Sequence, residues 1–104
     1  MEIESKQQIL ERRKEIEQDI MDLLSRAESD FALDDVKEVI YNEEDQDDLT
    51  KVISMFDTGK IPDELENILE LTNDAWNYFP HKIIGGISPA EKILEYQNKQ
   101  SKNK

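Results

Sequence analysis

The chain has 104 residues, which gives room for one domain with one modest core, since domains commonly contain about 100–150 residues. It has no cysteine, which excludes disulfides, thiolate zinc sites and cysteine nucleophiles, and no stretch resembles a signal peptide or a membrane span. The net charge is −12, and residues 28–74 hold sixteen acids against three bases, so we expect a soluble cytoplasmic protein that does not bind nucleic acid or membranes directly.

The first predicted element is a long amphipathic helix from Ser5 to about Ser29. Its apolar residues recur at steps of three, four and seven, which places them on one face, with Arg13 as an interruption. They are, in chain order, Ile9, Ile16, Ile20, Leu23, Leu24 and Ala27. We predict that the first four of these contact another protein or a second copy of the chain, because a helix with apolar residues seven apart can pair with itself.

The middle of the chain predicts two short helices. Asp35-Val36-Lys37-Glu38 has the pattern of a capping box at a helix start. Residues 42–48 contain no apolar residue, and a helical apolar pattern then resumes at Leu49 and continues to Phe56, before Gly59. One continuous helix with a solvated acidic middle is the alternative.

Two further helices complete the prediction. Pro62 stands in the first turn of one helix, where a missing N–H costs nothing, and Pro80 ends it. The last helix begins at residues 88–91, and the polar residues after Gln97 predict a disordered tail over 98–104. The expected fold is therefore all-α: a single domain over residues 1–97, built as a compact bundle of four or five helices with a long N-terminal amphipathic helix.

The segment WNYFPHKIIGGISPAE, between and into the last two helices, predicts a structural turn. Proline stops a helix, paired glycines permit a sharp reversal, and Ser-Pro-x-Glu caps the next helix. The residues assigned to this turn are Trp76, Pro80, His81, Gly85, Gly86, Ser88, Pro89 and Glu91. We expect His81 to cap the preceding helix, because a cation is favoured there; as a catalytic base it would need Ser88 or Asp74 as a partner.

The same segment resembles the tail that follows the catalytic core of integrase-type transposases. The matching residues are Trp76-Asn77, Pro80-His81, Gly85-Gly86 and Ser88-Pro89-x-Glu91. It is also similar to the closing segment of some small bacterial helical proteins. The likeness covers about 16 residues and implies a tail outside any catalytic motif, and the chain upstream has no β-rich segment that could carry the two transposase aspartates.

Acidic residues in the middle of the chain are candidates for a divalent cation. Glu43-Glu44-x-x-Asp47 resembles the first half of the carboxylate motif of MazG-type nucleotide pyrophosphohydrolases, and Glu70-x-x-Asn73 with Asp74 resembles the second half. That resemblance implies carboxylates holding magnesium on a nucleoside triphosphate. The interpretation we favour is a solvated acidic face without a cofactor, because runs of charge usually have no specific ligand.

The sequence thus favours a non-catalytic protein-interaction or regulatory module whose partner is another protein or itself. The expected binding surface is the N-terminal amphipathic helix or the acidic surface between Asp34 and Asp74. One alternative is the MazG-like magnesium-dependent pyrophosphohydrolase. The other is an acidic mimic of nucleic acid, which would bind the basic surface of a partner and be displaced by salt.

Overall fold

A computed structural model describes residues 5–44 and 47–102, with side chains described as far as residue 97. This part of the chain forms α1 (Lys6–Arg26), α2 (Leu33–Tyr41), α3 (Asp47–Phe56), α4 (Leu65–Tyr78) and α5 (Pro89–Lys102). Two short 3-10 turns, Pro62–Glu64 and Lys82–Ile84, precede and follow α4. The described residues contain one isolated β-bridge, between His81 and Ile87, and no strand, so the predicted all-α fold with a long first helix is confirmed.

One hydrophobic core joins the helices. α1 packs along α4, and α2 and α3 pack against each other, while α3 also contacts α4. Core side chains from these four helices include Ile20, Val36, Phe56 and Ile68, all between 0 and 2% exposed. Burying side chains of this size stabilises a fold by about 1.5–3 kcal/mol each, so this shared core holds the bundle together.

The apolar face of α1 is occupied by the chain itself. Ile9, Ile16, Ile20 and Leu23 are each 0–1% exposed. The prediction that these four residues contact a partner is therefore corrected: they offer no surface to another protein or to a second copy. Their helical spacing reflects packing against α4 and the other helices, which is the commoner reason for such a face.

The ends of α1 are fixed by local hydrogen bonds. Ser5 accepts the Gln8 N–H at 3.2 Å and Gln8 bonds back to the Ser5 N–H at 2.8 Å, which forms a capping box. At the other end the Ser29 N–H reaches the Leu24 carbonyl at 3.0 Å, and Glu28 has a positive φ of 52°. This is a Schellman motif with glutamate where glycine is usual.

The acidic middle separates two helices, as the first interpretation of the sequence predicted. α2 begins earlier than expected, at Leu33 rather than near Asp35, because the Asp35 carboxylate accepts the Ala32 backbone N–H at 2.8 Å. The capping acid therefore lies inside the first turn. Of the acidic run 42–48, residues 45 and 46 lie outside the described residues.

The last helix is longer than the sequence predicted. α5 continues to Lys102, so residues 98–102 of the expected disordered tail have helical backbone, and residues 103–104 lie outside the described part. The continuation contains neither glycine nor proline, the two residues that most strongly end a helix. The prediction relied on polarity alone, which by itself does not break a helix.

Candidate functional site

His81 is the buried centre of the turn between α4 and α5. Its side chain is 1% exposed, Nδ1 lies 2.6 Å from the Glu43 carboxylate, and Nε2 lies 2.6 Å from the Trp76 carbonyl oxygen. Both partners accept hydrogen bonds. The two contacts are therefore both hydrogen bonds only when the His81–Glu43 pair holds one proton more than a neutral imidazole beside an ionised carboxylate would hold. The ring contacts the last turn of α4 and also joins it to the loop after α2.

The rest of the turn has the chemistry that the sequence predicts. α4 ends at Tyr78, just before Pro80, and Gly85 and Gly86 have φ values of 86° and 80°. These left-handed conformations are strained for residues with a side chain. Gly86 N–H then reaches the His81 carbonyl oxygen at 2.9 Å, which closes the turn.

Glu91 contacts two parts of the chain, the start of α5 and the helix α1. Its carboxylate accepts hydrogen bonds from the Ser88 N–H at 3.1 Å and hydroxyl at 2.8 Å, and it forms ion pairs with Arg13 and Lys6. Arg13 also donates to the Tyr78 carbonyl oxygen at 2.7 Å. Arg13, which interrupts the apolar face of α1, thus links α1 to the end of α4 and the start of α5.

Burial explains the electrostatics of this link. Desolvation lowers the pKa of the Arg13 guanidinium, and the neighbouring Glu17 carboxylate opposes that shift. A partly buried guanidinium is stabilised by a compensating carboxylate, and Glu91, only 7% exposed, supplies it. The two residues therefore stabilise each other across the junction of three helices.

The turn contains no nucleophile-and-base arrangement. The Ser88 hydroxyl bonds Glu91, whereas the His81 ring bonds Glu43 and Trp76. Asp74, the other partner considered for His81, pairs with Arg12 at 3.1 Å. These polar groups of the turn hold helices together.

The acidic candidates are not gathered into one site. Glu43 binds His81, Asp74 binds Arg12, and the Glu44 backbone N–H bonds Asp48 at 2.6 Å. Glu70 and Asp74 line the same depression beside α4, whereas Asp47 is exposed at the start of α3. Within residues 5–44 and 47–102, no three His, Asp or Glu side chains are placed to hold a metal ion. The geometry therefore gives no support to the MazG-like alternative.

A different surface, around Phe31, is concave and includes exposed apolar side chains. Phe31, in the loop between α1 and α2, is 48% exposed and borders two adjoining depressions of about 420 and 430 Å³. The apolar residues that line the first depression include Met21, Leu24 and Leu33, and those that line the second include Val39 and Met55. We call these two depressions together the Phe31 groove.

The rim of the Phe31 groove is acidic. Five carboxylates border the two depressions: Asp34, Asp35, Glu38, Glu44 and Asp48. The one base among the lining residues, Lys51, forms an ion pair with Asp48 at 2.8 Å. The groove thus combines an apolar floor with a negative edge.

The loop that presents Phe31 is tied to the bundle. The Ser29 hydroxyl donates to the Met55 carbonyl oxygen at 2.6 Å and accepts the Phe31 N–H at 3.2 Å. The Thr58 hydroxyl similarly bonds the Ala27 carbonyl oxygen at 2.6 Å. These contacts connect the end of α1 to the end of α3, so the aromatic ring projects from a fixed segment.

No protein-family model, curated protein or solved structure matches this chain at a significant level. None of the helices in the described part has both the length and the apolar character needed to cross a membrane.

The sequence interpretation offered the acidic surface between Asp34 and Asp74, which includes the rim of the groove, but it missed Phe31 and the apolar floor because it followed helical periodicity. Phe31 lies in the loop between α1 and α2 and so belongs to the apolar face of neither helix. Met21 lies outside the buried face of α1 and is 43% exposed. The available signal was an aromatic residue set among acids in a short interhelical segment, Asp30-Phe31-Ala32-Leu33-Asp34. Aromatic residues in such positions are common anchors of protein interfaces.

Proposed function

We propose that this chain is a small, non-catalytic cytoplasmic module that binds another protein through the Phe31 groove. The observation that carries the proposal is an exposed aromatic side chain between two apolar depressions on a hydrogen-bonded framework. Interfaces use aromatic anchors seated in well-packed pockets, and contiguous exposed apolar patches on a folded domain mark such places.

Other exposed apolar residues are less suited to this role. Ile83 is 70% exposed on the 3-10 turn after α4 and lines none of the depressions described here. Leu69 borders a smaller depression of about 320 Å³ between α3 and α4, without an exposed aromatic ring. The Phe31 groove has both features, which is why we place the interface there.

Site-specific photo-crosslinking in the cells that produce the protein tests this function. A photoreactive amino acid at position 31 should yield a discrete crosslinked species containing a second protein. The same group at position 83, which is also apolar and more exposed, is the matched control. Failure to crosslink at position 31, or the same products from both positions, would contradict an interface at the groove.

A further inference from the structure

We infer that the occupant of the Phe31 groove is a basic amphipathic helix of the partner protein. This inference rests on the proposed function and specifies the chemistry of the partner. An apolar face on that helix would cover Phe31 and the floor of the groove, while lysine or arginine side chains beside it would approach the acidic rim.

Charge complementarity is the first argument. Five carboxylates border the groove, and its one lining base, Lys51, is paired with Asp48. The surrounding segment, residues 28–74, holds sixteen acids and three bases, so the negative potential extends beyond the rim. An acidic or neutral segment would bring no compensating charge, whereas a basic one gains attraction and faster association.

The secondary structure around the groove is the second argument. An extended peptide that binds by strand addition needs a sheet edge, and the described residues have no sheet, only the isolated bridge between His81 and Ile87. The walls are helices, whose interior backbone groups already bond within each helix. The occupant must therefore bind by side-chain burial, which an amphipathic helix provides.

The shape of the groove is the third argument. Its two depressions adjoin at Phe31, so two apolar side chains of the occupant would sit on either side of the ring. Residues three or four apart on a helix lie side by side, about 5–6 Å between Cβ atoms, and present two such anchors in succession. Met21 and Met55, one in each depression, supply flexible side chains that adjust to the anchor that enters.

Binding of a defined model peptide to the full chain tests the inference. The probe is a leucine–lysine peptide of about 18 residues with leucines at helical spacing, longer than the ~12–15 residues below which isolated helices are marginal. A second peptide with glutamate in place of each lysine is the matched control. Calorimetry gives the affinity, and backbone amide shifts locate the contact.

The lysine peptide should bind with amide shifts centred on the loop around Phe31 and on α2, and the glutamate peptide should not bind. Phe31→Ala should weaken binding about tenfold or more, as expected for an aromatic anchor, whereas Ile83→Ala should leave it unchanged. Glu38→Gln on the rim should weaken binding more than Glu66→Gln, an exposed acid on α4. Raising the salt from about 0.01 to about 0.15 M should weaken binding several-fold.

Three results would overturn the inference. One is equal binding of both peptides, another is lysine-peptide binding that is indifferent to Phe31→Ala, and the third is a Phe31-dependent dimer of the chain itself in sedimentation. If the lysine peptide does not bind while position 31 still crosslinks to a protein in cells, the inferred chemistry of the partner is wrong and the proposed function stands. If position 31 does not crosslink, the proposed function and this inference fail together.

Discussion

Glu28 shows how one residue can hold strain at a helix end. It follows α1 with a φ of 52°. For residues other than glycine, this conformation costs of order 1–3 kcal/mol of folding stability. Its ion pair with Lys60 is long, at 3.9 Å, and exposed, so this pair contributes little to stability. The Schellman motif is therefore maintained by its neighbours rather than by this residue.

Glu28→Gly should raise the free energy of unfolding by about 1 kcal/mol, because glycine relieves the strain although it makes the unfolded chain more flexible. Glu28→Gln removes the charge but keeps the strained side chain, and it should change stability by less than about 0.5 kcal/mol. Urea unfolding of the two variants separates the effects. A glycine variant no more stable than the glutamine variant would contradict the strain argument.

His81→Ala should destabilise the protein by about 2–4 kcal/mol. The substitution opens a cavity and removes the hydrogen-bond partner of both the Trp76 carbonyl oxygen and the Glu43 carboxylate. Glu43→Gln should cost less, about 1 kcal/mol, because an amide oxygen can still accept from the ring. Chemical unfolding measures both, with the exposed neighbour Lys82→Ala as the control. An unfolding midpoint for His81→Ala equal to that of Lys82→Ala would show that the ring does not link α4 to the loop after α2.

At the scale of elements, a polar link joins α5 to α1 and to the end of α4. Glu91 caps α5 through Ser88 and neutralises Arg13, which in turn holds the Tyr78 carbonyl oxygen. The capping box is local, with a spacing of three residues, whereas the ion pair spans 78 residues of sequence. One carboxylate thereby both starts a helix and attaches it to the bundle.

Glu91→Ala should cost about 3–5 kcal/mol of unfolding free energy, because it leaves the half-buried Arg13 guanidinium without its carboxylate and removes the two hydrogen bonds that this carboxylate accepts from Ser88. Glu95→Ala, one turn further along α5 and exposed, should change stability by less than about 0.5 kcal/mol. Thermal unfolding compares the two, and amide hydrogen exchange shows whether α5 opens first. Similar losses in both variants would mean that Glu91 acts only as a generic helix residue.

At the scale of the molecule, a net charge of −12 on 104 residues implies repulsion within the folded state. Most of the imbalance lies in residues 28–74, which include the rim of the Phe31 groove. Repulsion among exposed charges is screened over about 8 Å at 0.15 M salt and over about 30 Å at 0.01 M. A basic occupant of the groove would reduce the same repulsion.

The midpoint of thermal unfolding should therefore rise when sodium chloride is raised from about 0.01 to about 0.15 M, since screening weakens net repulsion more than it weakens scattered surface ion pairs. Replacing Glu38 and Glu44 with glutamine should reduce this rise, because both belong to the acidic rim. Calorimetric scans at the two salt concentrations provide the measurement. A midpoint that falls with salt would show that ion pairs, not repulsion, dominate.

The sequence by itself determined what depends on residues close together in the chain. The spacing of Ile16, Ile20 and Leu23 predicted a helix face, and Ser88 with Glu91 predicted the start of α5. Helical periodicity and capping act over three to seven residues, so a single stretch of sequence contains all the partners involved. The all-α fold followed from repeating that argument along the chain.

Only the tertiary structure decided which surfaces remain exposed and which polar groups meet. The α1 face could serve a partner or the core, and packing against α4 assigned it to the core. The bond between Glu43 and His81 joins residues 38 positions apart, and the Phe31 groove arises where α1, α2 and α3 meet. These features depend on how helices pack in space, which local spacing does not specify.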